Sequence, residues 1–270
     1  MKTPNHIAAE VLTTLRSKRP LILNLTNNVV QSITANMLLA VGGVPVMLTH
    51  GEEIKDLLHS CANGMLVNVG TVNQEQAATM KEAVKDAAIA GIPWVLDPVA
   101  VGLLKFRTQV CAELLHTPPA MIRGNASEII ALAGAQGALC RGVESSADSA
   151  AALPAAQALA QKTGAAVLVT GETDYITDGA RTVTCTNGHE IMTRVTGVGC
   201  AMGALCSACV ACADSAFDAA IATAAILGLA GERAAASNPH PGTFAAALLD
   251  ELDKLTPQEL QKYAKLTEIQ

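Results

Sequence analysis

The chain has 270 residues and a formal net charge of −6 at pH 7; it is 50% hydrophobic, yet aromatic residues make up only 2%. That length and apolar content support a substantial aliphatic core. Lys and Arg are scattered, which argues against an electrostatic footprint for nucleic acid or membrane surfaces and leaves small-molecule chemistry as the expected business.

The N-terminal Met1-Lys2-Thr3-Pro4-Asn5-His6 lacks the apolar stretch and cleavage pattern of a signal peptide. No uninterrupted apolar run of about eighteen residues follows. The expected location is therefore cytoplasmic. Strand patterns begin at 21–24 and continue at 44–48, 65–69, 93–96, 120–122 and 166–169. Helical patterns fall between them at 28–40, 53–60, 74–90, 107–116 and 127–133. This alternation predicts an α/β fold, with a mainly parallel central sheet and helices on both faces. Residues 174–192 are shorter in pattern and rich in Thr, as expected of local antiparallel hairpins, and three helices follow at 200–212, 216–236 and 243–255. No Pro/Ser-rich linker or repeat interrupts the pattern, so residues 1–270 are expected to form a single domain.

In an open α/β sheet, ligands bind beyond the carboxyl ends of the strands. Four strand ends carry polar residues. Leu96-Asp97-Pro98-Val99 offers a carboxylate fixed by proline, or simply a turn. Ile122-Arg123-Gly124-Asn125-Ala126-Ser127-Glu128 offers a guanidinium and a second carboxylate, although N-x-x-E is also a capping box. Val169-Thr170-Gly171-Glu172 places a hydroxyl after an apolar strand. Val195-Thr196-Gly197-Val198-Gly199-Cys200-Ala201-Met202-Gly203 joins a tight glycine turn to a helix start, a natural anion cradle. A thiol at Cys200 would feel the helix N-terminus, which is expected to favour the thiolate. A guanidinium for phosphate oxygens, two carboxylates for hydrated Mg²⁺ and an anion turn form a kit for phosphoryl transfer.

Other nucleotide motifs do not fit. No G-x-x-x-x-G-K-[ST] occurs, and the glycine spacing around Gly197 is not that of a dinucleotide fingerprint. Cys206, Cys209 and Cys212 match the opening of an iron–sulfur run, but Ala216 stands where its fourth cysteine belongs. At helical spacing the three thiols are expected to pack as small hydrophobes. The histidines at 6, 50, 59, 116, 189 and 240 form no ligand-like pairs.

Taken together, the Gly197–Cys200 turn, the Arg123–Glu128 segment, Leu96-Asp97-Pro98-Val99 and Thr26-Asn27-Asn28-Val29-Val30 resemble the hydroxyethylthiazole kinase family. That family belongs to the ribokinase-like superfamily, with a three-layer αβα fold, and serves thiamin salvage. The resemblance runs from about residue 20 to 260. It implies ATP-dependent phosphorylation of the primary hydroxyl of 4-methyl-5-(2-hydroxyethyl)thiazole, with Mg²⁺, in a homotrimer whose thiazole pockets lie between subunits. It further implies Cys200 as catalytic residue, Met47 and Gly197 as substrate-binding residues, Arg123 and Thr170 as ATP-binding residues, and Asp97 and Glu128 around the metal. Two positions depart from the common pattern: Val198, bulkier than the usual Thr or Ala, and Asn24. A ribokinase-like kinase of another small heterocyclic alcohol would be expected to carry Asp at the place of Cys200. A non-catalytic nucleotide sensor is the rival from a different class.

Overall fold

Alternating strands and helices build one nine-stranded sheet in the computed structural model, which describes residues 2–135 and 149–269. The elements in chain order are α1 (Pro4–Lys18), β1 (Leu21–Leu25), α2 (Gln31–Val41), β2 (Val44–Val46), α3 (Gly51–Ser60) and β3 (Gly64–Asn68). Next come α4 (Gln74–Ala90), β4 (Trp94–Asp97), α5 (Lys105–Leu114), β5 (Met121–Asn125), α6 (Ala126–Ala135), α7 (Leu153–Thr163) and β6 (Ala166–Thr170). The chain continues with β7 (Asp174–Thr177), β8 (Thr182–Cys185), a 3₁₀ turn (Glu190–Arg194), α8 (Val198–Val210), α9 (Ala216–Ser237), α10 (Pro241–Lys254), α11 (Pro257–Tyr263) and β9 (Leu266–Ile269).

Strand order is β2-β1-β3-β4-β5-β6-β7-β8-β9. Pairings from β2 to β6 are parallel, and those from β6 to β9 are antiparallel. Helices cover both faces and divide the core in two. One core packs α1, α2, α8, α9 and α10 on side chains such as Ile22, Leu66, Val95, Met121 and Leu168. The other packs α3 to α7 on Leu23, Met65, Val67, Leu96, Ile122 and Val167. Successive strand residues point to opposite faces, which is why neighbours such as Leu66 and Val67 fall into different cores.

The predicted alternation is present, with shifts at the ends. The helix expected from residue 28 starts only at Gln31, because Asn27 Oδ1 accepts the Val29 N–H and holds the preceding residues in a turn. Helices α1 and α7 lie where no element is read from the sequence. Cys206 and Cys209 are buried in α8 as packing groups, as their helical spacing predicts, and Cys212 is buried in the turn that follows the helix. Helix α9 is long and apolar enough to cross a membrane by composition, but most of it is buried between α1, α8 and α10, as in a core helix.

The order reverses between β1 and β3: from β1 the chain crosses to β2 through α2 on one face and returns to β3 through α3 on the other. The splayed connections leave a crevice at the carboxyl ends of β1 and β3. Helix α8 begins over that crevice.

Candidate active site

Period-two alternation puts a polar row on the α8 face of the sheet. On β1, β3, β4, β5 and β6, the residues Asn24, Asn68, Asp97, Arg123 and Thr170 each stand two positions beyond an apolar residue of the α8-side core. Asn68 and Asp97 are also register partners across β3 and β4. The strands are therefore apolar along their length and polar where they end beneath α8.

The helix lies unusually close. A Cβ on Gly203 would stand 2.9 Å from Leu66 Cδ1 and 3.4 Å from Asp97 Oδ2. Ser207, one turn on, donates to the Met65 carbonyl at 3.1 Å. At its start, Gly197 has φ +94° and packs against α2, where a Cβ would meet Ile33 Cγ2 at 2.8 Å. Only glycine meets both demands. Among the described residues no side chain caps α8, which leaves its first-turn amides open to a ligand or solvent. Val198 turns into the core and leaves the backbone of this turn uncovered.

Beneath these amides lies Arg123, 12% exposed at its side chain. Its Nη2 donates to Thr170 Oγ1 at 2.9 Å, Nη1 stands 3.7 Å from Asp97 Oδ1, and Gly199 leaves room for the guanidinium, with a Cβ position only 3.1 Å from Nη2. Burial works against the Arg123 charge, and the nearby Asp97 and Glu128 carboxylates outweigh it, so the group is held protonated. Asp97 is 0% exposed; burial pushes it up to about 7, with Arg123 pulling down and Glu128 adding to the rise. Among the described residues, its Oδ1 atom and Arg123 Nε are buried with no hydrogen-bond partner.

Glu128 completes the capping box: its Oε2 accepts from the Asn125 N–H at 2.9 Å, while Asn125 Oδ1 accepts from the Glu128 N–H at 3.0 Å. Its other oxygen accepts from the N–H of Ala100, a residue at φ +61° in the loop after Asp97. Capping and a place beside the site are thus compatible.

Cys200 stands in the first turn of α8, with its Sγ accepting from Asn27 Nδ2 at 3.5 Å. The expectation of a thiolate is corrected here. Burial pushes this thiol up, Asp97 adds to the rise, and the Asn68 and Asn27 amides and Arg123 only partly oppose it. A helix terminus is a weak partial charge; the surrounding protein removes more hydration than that terminus restores. Met47 follows β2 on the same rim, half-exposed and outside both cores, separated from Asp97 by β1 and β3. Asn24 ties β1 to β2 by donating to the Val46 carbonyl at 3.3 Å.

The structure thus gathers Cys200, Gly197, Arg123, Thr170, Asp97 and Glu128, and leaves Met47 at the flank. It adds Asn27 and Asn68, to which the sequence reading gives no role. Their signal is an amide at a strand end, most visible in Met65-Leu66-Val67-Asn68-Val69. A cleft of about 980 Å³ opens elsewhere, along α1, α9 and β8, and contains none of these residues.

Known proteins share this fold and much of this sequence. Residues 12–258 match the model of the hydroxyethylthiazole kinase family. A hydroxyethylthiazole kinase of Akkermansia muciniphila is 53% identical over 251 residues, covering 93% of this chain and 92% of its own. One from Tolumonas auensis is 49% identical over 251 residues, covering 92% and 93%. The solved hydroxyethylthiazole kinase structure from Pyrococcus horikoshii superposes with a TM-score of 0.90 at 36% identity, over 97% of this chain and 99% of that one. A Staphylococcus aureus pyridoxal kinase in complex with AMP-PCP and pyridoxal shares the fold, with a TM-score of 0.62 at 15% identity over 79% and 88%.

Proposed function

The chain belongs to the hydroxyethylthiazole kinase family, and from that membership we propose that it transfers the γ-phosphoryl group of ATP to the primary hydroxyl of 4-methyl-5-(2-hydroxyethyl)thiazole. The observation that carries the reading is the convergence of the Arg123 guanidinium and the Cys200 sulfur on the uncapped first turn of α8, above Asp97. Phosphoryl transfer passes through a loose transition state, so orientation and charge neutralisation matter more than a strong base. The amides of residues 198–200 and the guanidinium take up charge on the phosphate oxygens, and Thr170 keeps the guanidinium in place. Cys200 orients the alcohol by hydrogen bonding, and the alcohol proton passes to a phosphate oxygen as transfer proceeds. A buried thiol with a raised pKa stays protonated and so serves to orient the hydroxyl, not to take its proton.

A divalent cation fits the donor set. Asp97 Oδ1 is a buried oxygen without a hydrogen-bond partner among the described residues, and the Glu128 carboxylate is near enough to raise Asp97. Two carboxylates with phosphates and water are the usual company of Mg²⁺, which when bound would neutralise charge on the ATP phosphates. Asp97 and Glu128 would hold it. Gly197 and Met47 would border the thiazole pocket. Val29 and Leu39, both exposed apolar residues on or just before α2, support an assembly there, proposed as a homotrimer. The cytoplasm is the proposed compartment.

The test is ADP release coupled to the alcohol. Thiazole-dependent ADP production is expected from the parent protein, and ATP binding without it would defeat the proposal. Cys200→Ala should lower kcat by about 100-fold while leaving ATP affinity nearly intact. Unchanged turnover in that variant would remove the sulfur from the mechanism.

A further inference from the structure

We propose that Asn68 is a positioning residue for Cys200: it dictates which way the Asn27 carboxamide faces and so links the sulfur to Asp97 through a directional chain of hydrogen bonds. The proposal rests on the kinase reading above for its consequence in turnover. The chain itself rests on geometry alone.

Asn68 is 1% exposed, and its amide bears on the Cys200 sulfur directly as well as through Asn27. Its Nδ2 donates to Asp97 Oδ2 at 2.6 Å, and its Oδ1 accepts both the Gly70 N–H at 2.9 Å and Asn27 Nδ2 at 3.0 Å. A flipped carboxamide would set oxygen against carboxylate and N–H against two N–H donors, so all three contacts would turn repulsive. The orientation of Asn68 is therefore fixed by its partners.

That orientation passes to Asn27. Its amide nitrogen must face Asn68, and its Oδ1 is occupied by the Val29 N–H at 3.1 Å. One N–H remains, and it reaches Cys200 Sγ at 3.5 Å. Space enforces the same arrangement, since a Cβ on Gly70 would lie 2.6 Å from Asn27 Nδ2. The sulfur is thus held as an acceptor from below, and its own proton or free lone pairs are turned away from Asn27. A tie needed only to join β3 to β4 has no use for this polarity.

The sulfur can be read directly. Iodoacetamide alkylation of Cys200 in the full-length protein without nucleotide, located by fragment mass spectrometry, requires no turnover. Asn68→Leu and Asn68→Ala both remove the amide, one keeping and one reducing its bulk, so either folded variant suffices. Each is expected to slow Cys200 alkylation several-fold at fixed pH and to lower kcat by about 10- to 100-fold, with the KM for ATP within about threefold of the parent.

The rescue is the exchange Asn68→Asp with Asp97→Asn, which reverses the donor and acceptor between β3 and β4 and restores an acceptor for Asn27. Alkylation should be faster than in either single variant while phosphorylation stays low, because the carboxylate has left position 97. Unchanged alkylation and kcat in the single variants would overturn the proposal, as would an exchange whose alkylation is no faster than theirs. A parent protein without thiazole-dependent ADP release would sink the kinase reading and leave the alkylation comparison standing.

Discussion

Two polar clusters, one beside the β8–β9 edge and one at the middle of the sheet, use the same side-chain types to opposite ends. In the antiparallel half, Asn187 donates to Glu232 Oε2 and to the Tyr263 carbonyl and accepts from the Lys265 N–H; Glu232 Oε1 receives the Gly188 N–H and Lys265 Nζ. These groups satisfy one another and bind the C-terminal segment to α9. In the parallel half, Asp97 Oδ1, Arg123 Nε and Thr26 Oγ1 are buried with no hydrogen-bond partner among the described residues, none of which caps the first turn of α8 by its side chain. A polar cluster that closes on itself is a strut. One that ends in open valences is built to be completed by something else.

That contrast predicts different penalties. The largest belongs to Arg123→Ala, which removes the charge beneath the α8 turn and leaves Asp97 buried without its cation; kcat/KM for ATP should fall by about 1,000-fold in the coupled assay. A drop below about tenfold would put the guanidinium outside the phosphate site.

Next is pH. Asp97, raised to about 7 by burial, carries a proton below that value and its charge above it. kcat/KM for ATP should therefore rise with pH and level off above 7, with a slope of about tenfold per unit on the acid side. Asp97→Asn should be low and flat across the same range.

Smaller again is Gly199→Ala, whose Cβ would stand 3.1 Å from Arg123 Nη2. An increase of about tenfold in the KM for ATP, with unfolding unchanged, is expected. At the other pole, Asn187→Ala should cost about 1–3 kcal/mol of stability in denaturant unfolding and move kcat by less than about twofold. A large loss of kcat there would erase the distinction between the two clusters.

Much of this is written locally in the sequence. Strand period and strand-end chemistry mark Asp97, Arg123 and Thr170, and the glycine turn marks Cys200. What is not legible is what depends on register. Asn68 reads as an interruption in an apolar strand until β3 and β4 pair and set it opposite Asp97. The sign of the thiol shift escapes for the same reason: a helix terminus is visible in the sequence around Cys200, whereas burial is the work of distant elements. Helix α1 is a plain omission, since Thr3 caps it and Pro4 opens it, both familiar start signals.

The close seating of α8 has a further consequence. Its height above the sheet is set at Gly203 by a carbon atom that is not there, and the sulfur and the anion turn ride on the same rigid rod. A methyl group at 203 would lift both together, leaving their mutual spacing intact while widening the gap to Asp97. Phosphate grip and alcohol activation are thus geared to one displacement, and this single position, beside Asp97, sets the floor of the site.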